Sequence, residues 1–167
     1  MPIDPELVRK FWNQRAVAHE EDSGLTNLEE DTAKREVKIQ LESEKVMSYL
    51  DCNPDTVLLD LGGGSGFWAL KASSKAKQVV LVDFCAPLLE QAKSQAEANQ
   101  IKNISFVCSD VQTFKSDVPF DVVFISGVMI YLNDAPFFQL LEHIEAYSKP
   151  GTRVVLRDGT GIQGRHE

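Results

Sequence analysis

Leu58-Leu59-Asp60-Leu61-Gly62-Gly63-Gly64-Ser65-Gly66 decides the architecture. An apolar run passes an acid and enters a loop with four glycines in five residues. Phe67-Trp68-Ala69-Leu70 then begins a stretch of helical character. Glycine reaches positive φ freely and lets backbone approach a ligand closely. A helix N-terminus beyond such a loop presents N–H groups. An ordinary strand-to-helix turn needs fewer glycines, so this loop predicts a ligand site.

Outward from it, apolar runs and helical patterns alternate. Thr56–Asp60, Gln78–Asp83, Ile104–Cys108, Phe120–Ser126 and Thr152–Leu156 read as buried strands. Phe67–Ser74, Pro87–Gln100 and Asp134–Ser148 read as helices, the last opened by an Asp cap. The crossover at 109–119 is too short for a full helix. Upstream, Leu7, Val8, Phe11, Trp12 and Arg15 succeed Pro5 at helical spacing. An acidic loop over 20–31 precedes a second helix from about Asn27 to Leu50. Apolar strands alternating with helices imply a parallel sheet covered on both faces. Right-handed crossovers then give an α/β, doubly wound, mostly parallel sheet. Residues 1–51 form its N-terminal helical cap and 52–167 its core. Ligands of such sheets sit beyond the carboxyl ends of the strands. Asp60, Asp83, Asp110 and Ser126 all fall there.

Composition narrows the function. The formal charge is 17 minus 25, or −8, with pI near 4.9. Acidic surfaces repel the phosphates that dominate nucleic-acid affinity, so no nucleic-acid partner is expected. No apolar run reaches membrane-spanning length, and the N-terminus has no signal-peptide pattern. Cys52, Cys85 and Cys108 are odd in number and widely spaced, with no disulfide or zinc pattern. A reducing, cytoplasmic setting is expected.

The glycine spacing argues against two ligands. A dinucleotide fingerprint needs glycine at the sixth position counted from Gly62, where Phe67 stands. A phosphate loop needs Gly-Lys-(Ser/Thr), which is absent. Asp60-Leu-Gly-Gly-Gly-Ser-Gly66 instead resembles motif I of the class I, Rossmann-like S-adenosylmethionine (SAM)-dependent methyltransferases. The resemblance extends over 56–158 through Asp83, Asp110 and Phe120-Asp-Val-Val. It implies that Asp60, Gly62, Gly63, Gly64 and Gly66 pack against the methionine part of SAM. It makes Asp83, beside Phe84, the ribose acid, and Asp110, beside Val111, the adenine partner. Ser126 and Gly127 would lie beneath the reacting methyl. The opening Phe11-Trp12-Asn13-Gln14-Arg15-Ala16 resembles a family helix that closes over the cofactor, with Trp12 as shield and Arg15 at the methionine carboxylate. Asp83 also fits a helix cap, Asp110 a solvated turn, and Met129 and Ile130 plain core.

The residues beyond Phe120–Ser126 narrow the acceptor. The chain lacks the (Asp/Asn)-Pro-Pro-(Tyr/Phe) run of DNA amino-methyltransferases and the paired glutamates of arginine methyltransferases. It also lacks the Pro-Cys of RNA cytosine enzymes and the magnesium acids of catechol-type enzymes. The expectation is a metal-free enzyme passing a methyl group from SAM to a small molecule and leaving S-adenosylhomocysteine (SAH). His19 and Tyr131 are the candidate catalytic bases; His143 falls on a helix face. The family sheet has seven strands, and the residues after strand five are too few for strands six and seven. A shortened chain, or a homo-oligomer through the exposed strand-five edge, is therefore expected. Other readings are a non-catalytic SAM-binding or partner-completed subunit, or a Rossmann-like enzyme using NAD or decarboxylated SAM.

Overall fold

The computed structural model describes residues 2–18 and 32–158, with the side chains at 32–36, 38 and 39 set aside. Helices α1 (Pro5–Ala18) and α2 (Thr32–Leu50) precede β1 (Val57–Leu61), α3 (Phe67–Ser73), β2 (Gln78–Asp83) and α4 (Ala86–Ala98). Next come β3 (Ile104–Cys108), β4 (Phe120–Ser126), a 3-10 turn (Met129–Tyr131), α5 (Asp134–Ala146) and β5 (Ser148–Arg157). The strands form one parallel sheet in the order β3-β2-β1-β4-β5. The order reverses between β1 and β4, and at such a switch point a crevice opens beyond the strand ends.

Alternation along each strand sends neighbouring side chains to opposite faces. Leu58, Val79, Leu81 and Phe124 meet Ala69 and Ala72 of α3, Leu89 and Ala92 of α4, and Val46 and Leu50 of α2. Leu59, Leu61, Val82 and Ile125 meet Leu140 and Ile144 of α5 together with Val111 and Phe114. Phe114 thus plugs the short crossover, which carries turns rather than a helix, as expected.

Four expectations shift. The second helix begins at Thr32 among the described residues, and 27–31 lie outside them. α5 has no Asp cap: Asn133 holds the cap position and Asp134 is the first helical residue, near the positive end of the helix dipole. The Asn133 side chain makes no capping bond. It accepts from the Ile3 N–H and donates to the Ile3 carbonyl, both at 2.8 Å, and so pins the N-terminus. β1 begins at Val57, one residue later than expected.

β5 is longer than expected because Lys149-Pro150-Gly151 does not end the pairing. The register jumps from Phe120↔Ser148 to Val122↔Arg153, and Gly151 takes φ +92° at the irregularity. The Thr152 hydroxyl donates to the Phe120 carbonyl at 2.6 Å. β5 is an edge strand whose Val154 and Leu156 are 44% and 45% exposed. The described residues hold five strands; 159–167 lie outside them. No described helix is long and apolar enough to cross a membrane.

Candidate active site

The glycine loop is a fixed shape rather than an open cradle of donors. Gly62 and Gly63 donate to the Val82 carbonyl at 2.7 and 3.2 Å, and Gly66 donates to Gly63. Gly64 donates to Asp83 Oδ2 at 2.9 Å. The glycine amides are thus spent inside the protein. The glycines serve packing and turn geometry. At Gly62, φ is +73° and a Cβ would lie 2.3 Å from Val128 Cγ2. At Gly66, φ is +80° and a Cβ would lie 2.9 Å from the Ala92 Cβ. Only glycine combines such φ values with such close neighbours.

Asp83 ends β2 and ties two loops together. Its Oδ1 accepts from the Cys85 N–H at 2.8 Å while Oδ2 holds Gly64. Burial raises its pKa above the ordinary carboxylate value, and the two amides oppose that rise. Asp83 does not cap α4, whose cap position is Cys85; from the tip of β2 it holds the Cys85 and Gly64 amides instead.

Asp60 differs. It is 1% exposed, and neither oxygen has a hydrogen-bond partner. Burial pushes its pKa up to about 7, the Asp83 charge adds to the rise, and the Ala69 amide pulls weakly the other way.

A cavity of about 720 Å³ opens above these residues, within the range of small-molecule sites. Its wall includes Asp60, Gly62, Gly63, Gly64, Asp83, Phe84, Asp110, Val111, Ser126, Gly127 and Tyr131, so the candidates from four strand ends converge there. α1 closes the cavity with Trp12, whose ring meets Tyr131 edge-on at 5.9 Å. Arg15 is half-buried and its charge acts on the Tyr131 hydroxyl, yet it does not line the cavity. Gly66 lies behind the loop against α4. His143 sits on α5 away from the cavity, and His19 lies outside the described residues.

Three wall groups escape the sequence reading. Arg9 of α1 bonds Asp110 Oδ2 at 2.8 Å and stacks 4.8 Å above the Phe84 ring. Arg157, at the end of β5, pairs with Glu42 of α2, donates to Ser126 Oγ at 3.0 Å and lies over Trp68. Asp158 accepts from the Met129 N–H at 3.3 Å through one oxygen, and its other oxygen is buried without a partner. Each belongs to an element remote in sequence from its partners. The acidic and basic residues of amphipathic helices gave no local cue to pick out Arg9 and Glu42.

A family model described as "Methyltransferase domain" matches residues 58–151. Phosphoethanolamine N-methyltransferase 1 of Triticum aestivum is 23% identical over 159 residues, covering 93% of this chain and 31% of its own length. The tRNA 5-carboxymethoxyuridine methyltransferase of Escherichia coli K12 is 30% identical over 97 residues, 56% of this chain and 36% of that one. The chain thus spans about a third of the length of these curated relatives. A phosphoethanolamine N-methyltransferase from Haemonchus contortus, solved with phosphoethanolamine and SAH, superposes with TM-score 0.77 at 19% identity over 96% of this chain and 34% of that chain. The N-methyltransferase NodS of Bradyrhizobium japonicum WM9, solved with SAH, gives 0.68 at 18% identity over 87% of this chain and 71% of that chain. The family match covers more than half of the chain, from β1 through α5 into β5, and the chain therefore belongs to the class I, Rossmann-like methyltransferase family.

Proposed function

We propose that this chain binds SAM across the ends of β1 to β4 and directs its methyl group to the nitrogen of a small amine, leaving SAH. The carrying observation is the cavity in which the glycine loop, Asp83, Asp110 and the end of β4 meet. The wall suits the ligand: an unpartnered buried carboxylate fits its ammonium, and the Asp83 and Asp110 carboxylates fit hydroxyl and amino donors. Bound SAM supplies a methyl group already activated by the sulfonium. What remains for the protein is orientation at a reacting distance of ~3–3.5 Å and exclusion of water. Trp12 and Tyr131 close the space over Ser126 and Gly127.

Nitrogen is favoured over oxygen because an amine needs no strong base before it attacks. A neutral amine attacks without prior deprotonation, and the free oxygen of Asp158 can take up the proton that leaves. Several relatives are named as N-methyltransferases, which supports the same choice. The net charge of −8 favours a small acceptor over RNA. This reading is metal-free and places the protein in the cytoplasm.

Calorimetric titration with SAM, and separately with NAD, tests the cofactor. Ligand at ~100 times its Kd adds about 2.7 kcal/mol of stability, a rise of about 5–11 °C in melting temperature for a chain this size. We expect that rise with SAM and none with NAD. Asp83→Ala removes the acceptor of two amides and weakens SAM binding at least tenfold; unchanged affinity would discard the ribose assignment.

A further inference from the structure

Asp60 stands apart from the other charged groups on the cavity wall. Both of its oxygens are buried without a donor, and a Cβ on Gly63 would lie 2.8 Å from Oδ2. From β2 it faces Asp83, of the same sign, and from α3 only the Ala69 amide. The cationic groups of the wall are already engaged, Arg9 by Asp110 and Arg157 by Glu42. Asp158 is held by the Met129 amide. An ionised carboxylate with no full hydrogen bond, no cation and a like charge beside it is costly, so the group keeps its proton up to about neutral pH. Its pKa of about 7, set by burial first and Asp83 second, agrees with that geometry.

Given the SAM reading above, we propose that Asp60 is the proton-exchange group of cofactor uptake: neutral in the free chain, it surrenders its proton when the ammonium of the ligand's amino-acid half docks against it. The carboxylic acid and the ammonium become a carboxylate–ammonium pair, and one proton passes to solvent. No bond within the ligand is made or broken. The nucleoside half offers no cation, so proton release belongs to the amino-acid half alone.

Calorimetry in buffers of differing ionisation enthalpy reads this directly. At pH 6 we expect close to one proton released on binding SAM or SAH, and none on binding 5′-methylthioadenosine, which lacks the amino acid. SAM affinity should climb roughly tenfold from pH 5 to pH 6 and level off above pH 7. Asp60→Asn should abolish the release and weaken SAM roughly tenfold to a hundredfold at pH 7.5, the size of a charged hydrogen bond. SAM binding with no buffer dependence overturns the proposal, as does equal release with 5′-methylthioadenosine. A cooperatively folded chain that binds neither SAM nor SAH at any pH removes the cofactor reading itself, and this inference with it.

Discussion

Two aspartates on one cavity, Asp60 beneath the glycine loop and Asp110 at the rim, meet opposite surroundings. Asp110 sits in a turn, where its Oδ1 accepts from the Gln112 N–H at 2.9 Å. Its other oxygen is matched by Arg9, and the Arg9 and Asp110 side chains are 41% and 31% exposed. Asp60 sits inside a strand with apolar neighbours on both sides, shut off from water and from any cation. Position along a parallel strand, rather than residue type, therefore decides what each carboxyl meets. A carboxyl past the strand end finds donors and solvent, while one residue inside the end finds neither. The rim is a half-exposed pair open to solvent, and the floor is tightly packed.

The rigidity of the floor is challenged most forcefully from beneath. Gly66→Ala places a methyl group 2.9 Å from Ala92 and 3.1 Å from Leu81 at φ +80°. Left-handed backbone and overpacking together cost about 2–5 kcal/mol. The melting temperature should fall by roughly 5–15 °C. A shift under about 2 °C would show that the floor yields as the rim does.

Asp60→Asn separates floor from rim through pH. The folded-state pKa of about 7 lies above the ordinary 3.8. The folded chain therefore binds the extra proton, and the stability it confers is complete below about pH 4 and lost as pH rises through 7. The ionised group costs the folded state about 4 kcal/mol at pH 8. Asn removes that charge, so the variant should be the more stable of the two in urea at pH 8, by up to about 4 kcal/mol. The gap should close to under about 1 kcal/mol at pH 4. A gap independent of pH would mean that Asp60 is not the buried acid described.

Arg9→Gln should do least. A half-exposed ion pair contributes about 0–1 kcal/mol, so chemical denaturation should register at most that. A loss above about 2 kcal/mol would make the rim as rigid as the floor and dissolve the distinction.

Much of this was legible in the sequence because parallel sheets announce themselves. Apolar runs at 78–83, 104–108 and 120–126 are strands at those bounds, and the residues after them do meet at one cavity. Short-range signals failed where a distant group intervened. Asp134 reads as the cap of its helix, but Asn133 holds that position and Ile3 claims its side-chain amide. Thr152–Leu156 reads as the whole of the last strand, but pairing begins at Ser148, and Thr152 reaches across to Phe120 past the irregularity. In the site, glycine spacing marked the loop, yet nothing local distinguished Arg9 from Arg15, six residues apart on one helix. Which arginine lines the cavity depends on how α1 lies against α4, and that is a matter of tertiary packing.

The Asp83 carboxylate spans 19 residues to grip Gly64. A parallel pair cannot close until its crossover has folded back, so this grip arrives only after α3 has laid β2 beside β1. Residues 57–64 alone therefore do not fix the loop that shapes the cavity floor, because its hold comes from Asp83 on the far side of α3. A ligand that grips this loop binds only chains in which β1 and β2 are joined, and so adds its stability to that pairing.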